Sequence, residues 1–115
     1  MKLKTSELTR AALSYSVAKC MGYEDKDFCP HDKHFRDEDN YWFSPVDDWR
    51  QGGPIIEQEE ISIVRVSSAL WDAHMSNVNF FESGPTPLIA AMRCYVASKL
   101  GDEVDVPSEL TDTLV

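Results

Sequence analysis

Hydrophobic and polar positions change their period several times along the chain, and each change marks an element. Residues 5–22 carry helical spacing. Leu8, Ala11, Ala12 and Tyr15 fall on one face, and Leu13, Val17 and Cys20 on an adjoining one. Thr5 or Ser6 is placed to cap this helix, Glu7 suits its first turn, and Gly22 can end it. So wide an apolar surface predicts burial on two sides, with part of the helix facing a second subunit.

The period then disappears. Residues 24–39 hold seven acids and three bases, and residues 23–43 read as a long surface loop with a short strand at Tyr41-Trp42-Phe43. Loops of that length in compact domains are often functional. In residues 44–60, Asp47 and Asp48 are good caps and Trp49, Ile55 and Ile56 are apolar anchors. Gly52-Gly53-Pro54 argues against one uninterrupted helix. A short turn, a break, and a helix from Pro54 to about Glu60 are expected instead.

Ile61-Ser62-Ile63-Val64-Arg65-Val66-Ser67 is β-branched and partly alternating, hence a strand. A second follows, with Trp71, Ala73 and Met75 alternating against Asp72, His74 and Ser76, and Ser67-Ser68 as the turn between them. Residues 77–84, with Phe80 and Phe81, read as a loop. The last helix is nearly fully specified: Thr86 caps, Pro87 fits the first helical position, and Gly101 stands just past the end. Residues 103–115 form an extended tail. The whole is one domain, 1–115, of class α+β: a small antiparallel sheet flanked by an N-terminal and a C-terminal helix, α-β-α sandwich-like, with a long acidic loop.

Composition narrows the function. The 115 residues carry a formal charge of −9, from 20 acids and 11 bases. That repels nucleic-acid phosphate and anionic membranes, so nucleic acid is an unlikely partner and a membrane is not expected. No stretch approaches a membrane span, and no apolar segment follows the first lysines as a leader would require. Three cysteines, an odd number, point to reduced thiols rather than a disulfide framework.

Candidate chemistry is sparse. Cys29, His31 and His34 have metal-ligand types but not the spacing of a zinc finger or ribbon, so no metal and no cofactor is expected. No nucleophile elbow, phosphate loop or dinucleotide fingerprint occurs, and no catalytic residues are assigned. The start of the last helix is the better candidate. Gly84 would let a ligand approach, Thr86 adds a hydroxyl, and the N–H groups of Leu88 and Ile89 lack intrahelical partners, an arrangement that can hold an anion. Trp49 or Trp71, with Trp42 as a third, could stack on an attached ring, and Arg50 or Arg93 could supply countercharge. Equally, Gly-Pro-Thr-Pro is a plain cap and the tryptophans are core.

The run Ser44-Pro45-Val46-Asp47-Asp48-Trp49-Arg50-Gln51-Gly52-Gly53-Pro54-Ile55-Ile56-Glu57, with Gly84-Pro85-Thr86-Pro87-Leu88-Ile89-Ala90-Ala91-Met92-Arg93, resembles the NinX-like family of small proteins from temperate, lambdoid-type bacteriophages and their prophages. The opening Met1-Lys2-Leu3-Lys4-Thr5-Ser6-Glu7-Leu8 and the later Leu100-Gly101-Asp102-Glu103-Val104 are also similar. The resemblance implies a phage product acting in the host bacterial cytoplasm, and brings no catalytic residues. Three readings follow: a non-enzymatic homo-oligomer that binds a small anionic or nucleotide ligand, in its boldest form a host antiviral-defence signal; an acidic module that inhibits or recruits a host or phage protein; or an unrecognised enzyme.

Overall fold

The computed structural model describes residues 1–76 and 80–110. A strand β1 (Lys2–Lys4) and a 3-10 turn (Thr5–Glu7) precede helix α1 (Arg10–Cys20). A second 3-10 turn (Asp25–Asp27) lies in the long connection to α2 (Trp49–Gln58). Strands β2 (Ser62–Ser67), β3 (Leu70–Met75) and β4 (Phe80–Gly84) form an antiparallel meander, followed by α3 (Pro87–Leu100) and β5 (Glu103–Asp105). The class is α+β. Helix α3 is the middle layer, packed by α1 on one side and by β3 and β4 on the other.

Helix α3 forms as its sequence specifies. Oγ1 of Thr86 accepts from the N–H of Ile89 at 3.1 Å, and Pro87 opens the helix. Its residues Leu88, Ala90, Ala91, Met92, Cys94, Tyr95, Val96 and Ala97 are all buried, as a central helix requires. Every residue from 11 to 18 of α1 is buried too, within the same chain. Both apolar faces of α1 are therefore covered without a second subunit, and its width no longer argues for one. The end of α1 is a Schellman motif: Gly22 at φ 93° bonds back to Lys19, and Tyr23 to Ala18.

The start of α1 differs from expectation. Thr5 caps nothing. Its Oγ1 donates to the Gly101 carbonyl at 2.6 Å and its N–H to Asp102, so α1 begins five residues later. This contact and the β1–β5 pairing (Leu3 opposite Val104) tie the N-terminus to the end of α3. The tail is thus built in as far as described: Val104, Val106 and Leu110 are buried. Residues 111–115 of the expected tail lie outside the described residues.

Three further expectations are corrected. Residues 49–58 make one helix with Pro54 inside it, not two pieces. Oδ1 of Asp48 caps it by accepting from the Arg50 N–H at 2.9 Å. Gly52 is needed there for space, since a Cβ would stand 2.5 Å from the Pro45 carbonyl oxygen and 2.7 Å from Cδ2 of Leu88. Residues 80–84 are a strand, not a loop, with Ser83 opposite Asp72 and Gly84 opposite Trp71; residues 77–79 lie outside the described residues. The β2–β3 turn falls at Ser68 and Ala69, one residue later than expected.

Residues 23–43 are irregular, yet Phe35 and Phe43 go inward, 2% and 4% exposed. They join Tyr15, Tyr23 and Phe28 in an aromatic cluster with ring centres 4.9–5.7 Å apart. The segment is packed onto α1 rather than draped over it. The expected strand at 41–43 is reduced to a single bridge between Arg36 and Trp42.

Candidate functional site

The anion site expected at the start of α3 is largely occupied by the protein itself. Gly84 is buried, and a Cβ there would lie 2.8 Å from the Ala90 nitrogen and 2.9 Å from Cγ2 of Ile89. Its missing side chain admits the helix, not a ligand. The N–H of Ile89 is taken by Thr86 Oγ1 and that of Ala90 by the Thr86 carbonyl. Leu88 is buried while Thr86 is exposed.

The partner residues are dispersed. Trp71 sits across from Gly84 and packs against the core. Arg93 is a strut: Nε donates to the Leu8 carbonyl and Nη1 to the Ser83 carbonyl, both at 2.9 Å. Burial lowers its pKa, partly offset by Glu82 and Glu7. Glu82 is half-buried beside it, and desolvation raises its carboxyl above the ordinary value, with Arg93 opposing and Asp102 adding to the rise. Lys4, Ser6, Glu82, Asp102 and Glu103 line a hollow of about 510 Å³ there. Among the described residues no group of three His, Cys, Asp or Glu side chains is placed to hold a metal. Desolvation pushes the partly buried Cys20 thiol up to about 12 and the buried Cys94 thiol up to about 11, which makes both poor nucleophiles.

Trp49 and Arg50 belong to a different place. Residues 35–43 fold back on themselves, with the Phe43 N–H on the Phe35 carbonyl at 2.8 Å and Asp37 and Asn40 closing the turn. Asp37 organises it: Oδ1 accepts from the N–H groups of Asp39 and Tyr41 at 3.0 and 2.9 Å. Asn40 takes the left-handed conformation at φ 68°, which asparagine tolerates. Gln51 of α2 locks the hairpin down. Its Oε1 accepts from Ser44 N–H at 2.7 Å, and its Nε2 donates to Asp37 Oδ2 and the Trp42 carbonyl at 2.8 and 2.9 Å. The bond from Gln51, then the Tyr41 N–H, holds the Asp37 carboxyl below its ordinary pKa.

The result is an exposed ridge. The Arg36 guanidinium lies 3.8 Å from the Trp42 ring centre and that of Arg50 lies 4.4 Å from Tyr41. Trp49 opens α2 beside Arg50. Tyr41, Trp42 and Trp49 are 59%, 38% and 54% exposed. Arg50 is neutralised by Asp48 at 3.2 Å and Asp37 at 3.8 Å. Next to the ridge lies an acidic hollow of about 330 Å³, lined by Tyr23, Asp37, Glu38, Asp39, Arg50 and Gln51. The tryptophans and Arg50 were visible in the sequence as chemistry. The roles of Arg36, Tyr41 and Gln51 were not, because they depend on the hairpin.

These features define a small α+β domain with Tyr41, Trp42 and Trp49 exposed on one hairpin and on the helix start that follows it. The chain belongs to the Bacteriophage P22, NinX family, whose model matches residues 4–99. No curated protein shows a significant match. Among the described residues no helix is long and apolar enough to cross a membrane.

Proposed function

We propose that this phage-family protein works by binding another protein, without turnover, through the ridge of Tyr41, Trp42 and Trp49. The observation that carries the reading is that Tyr41 and Trp42, each with an arginine stacked on its ring, stand exposed on a preformed, cross-braced hairpin, and that exposed Trp49 follows at the start of α2, next to Arg50 in the chain. Trp, Tyr and Arg are the residue types that dominate binding energy at protein interfaces, and bracing by Gln51 and Asp37 lowers the ordering cost of docking. The acidic hollow beside the ridge, in a chain of −9, favours a partner with a basic surface. A host or phage nuclease or polymerase in the host cytoplasm is a partner of that kind. The rival reading, a small anionic or nucleotide ligand at the start of α3, would need the Ile89 N–H, which Thr86 Oγ1 already engages.

The test is affinity capture from host lysate by the parent and by a Trp42→Ala/Trp49→Ala variant shown to be folded. A basic protein retained by the parent, lost by the variant and released by salt is the expected result. Equal capture by both would overturn the reading. So would a nucleotide or cyclic dinucleotide that raises the melting midpoint while the parent captures nothing.

A further inference from the structure

The second exposed apolar region is the β2–β3 hairpin. Residues 64–70 are exposed without a break. Val64 is 60% exposed, Val66 52% and Leu70 39%, and Phe81 of the neighbouring β4 is 60% exposed. Among the described residues strand β2 is bonded to β3 alone, so one long side of it is a free sheet edge. Natural edges are usually guarded by charge, proline or a bulge. Here Arg65 and an irregularity before Ser67 are the guards, and the stretch from Ser62 to Val64 has neither.

We infer that β2 is the site at which two copies of this chain pair edge to edge, antiparallel, joining two three-stranded meanders into one six-stranded sheet. Charge selects a second copy as occupant. An antiparallel edge can pair with its own copy about a two-fold axis, the isologous arrangement commonest among homo-oligomers. Residues 61–71 contain no carboxylate, in a chain with 20 acids. Two molecules of charge −9 repel wherever acidic surfaces meet, and this is an exposed stretch where they do not.

An axis through Val64 sets Val64 against the partner's Val64 and Ile63 against the partner's Arg65, so no like charges oppose. It also keeps both α3 helices on one side of the joined sheet. A six-residue strand spans about 20 Å. Backbone pairing over that length, with Val64 and Val66 of the seam strand, suits a weak reversible dimer rather than an obligate one.

Sedimentation velocity from about 1 to about 200 µM tests this, a range covering weak dimer constants. The parent is expected to pass from monomer to dimer. Val64→Lys should raise the dimer constant about tenfold or more, because it opposes two lysines at the axis. The same lysine stands across from Asp72 within the monomer, a favourable pair, so folding should survive. Hydrogen exchange of the parent provides a second readout, with β2 amides slowing as dimer fills. A parent that stays monomeric throughout overturns the inference. So does a dimer that a folded Val64→Lys leaves intact, or one whose formation does not slow β2 exchange.

Discussion

Arg36 and Trp42 face each other across a single antiparallel bridge, and the guanidinium of the first stacks on the ring of the second at 3.8 Å. Nη1 of Arg36 also donates to the Asn40 carbonyl at 2.8 Å, so the cation closes the hairpin turn and covers one face of the indole. An exposed cation–π pair is worth about 0.5–1 kcal/mol. Trp42→Ala is accordingly expected to lower stability by roughly that amount in denaturant melts. A loss beyond about 3 kcal/mol, of the size seen for core truncations, would show that the ring belongs to the core and not to a binding ridge.

Gly84 makes a different prediction from the one an open ligand site would make. A methyl at that position meets the backbone nitrogen of Ala90 and Cγ2 of Ile89. Gly84→Ala should cost about 1–3 kcal/mol by overpacking, shifting the melting midpoint down by several degrees. Thr86→Ala removes the cap and should cost about 0.5–2 kcal/mol. Unchanged melting of Gly84→Ala would contradict the close approach of α3 to β4.

Helix α2 ends in a Schellman motif with a non-glycine at its left-handed position. Glu60 has φ 55°, its N–H bonds to Glu57, and the Ile61 N–H bonds to Ile56. The side chain is exposed, so nothing offsets the conformational strain. Glu60→Gly should therefore stabilise the protein by about 0.5–1 kcal/mol in a denaturant melt. Destabilisation by the glycine would mean that Glu60 makes a contact worth more than its strain.

Glu82 offers a pH test. Its folded pKa is raised, by burial first, with Asp102 adding and Arg93 opposing. A raised pKa means the native state binds the proton more tightly than the unfolded chain does, so the contribution is fully present below the unfolded value, about 4.3, and is lost as pH rises through the folded one. Glu82→Gln should be more stable than the parent at pH 7, and the gap should shrink as pH falls toward the unfolded value. A gap that stays constant with pH, measured by chemical denaturation, would contradict the half-buried carboxyl with its raised pKa.

How far the sequence foretold this structure depends on how local each element's causes are. Thr86, Pro87 and Gly101 act within or next to α3, and the helix was legible to the residue. Gly22 likewise announced the end of α1. Thr5 did not announce a start, because its hydroxyl bonds to Gly101, 96 positions away. Helix α2 was misread at Gly52-Gly53-Pro54. The proline removes one N–H, while the Asp48 cap and the fit of Gly52 against Pro45 and Leu88 outweigh that loss. Strand β4 was missed because its order comes from pairing with β3 and from α3 pressing on Gly84. The ridge was half legible. Trp49 and Arg50 stood out by type, but Gln51, 14 positions from Asp37, is what gathers Tyr41, Trp42 and Arg50 into one surface.

The most direct test of the ridge is hydrogen–deuterium exchange of the chain alone and in complex with its captured basic partner. Residues 36–42 and 49–52 are expected to exchange more slowly in the complex, with the start of α3 unchanged. Protection confined to residues 86–89, with the ridge exchanging as in the free chain, would contradict the proposed binding surface.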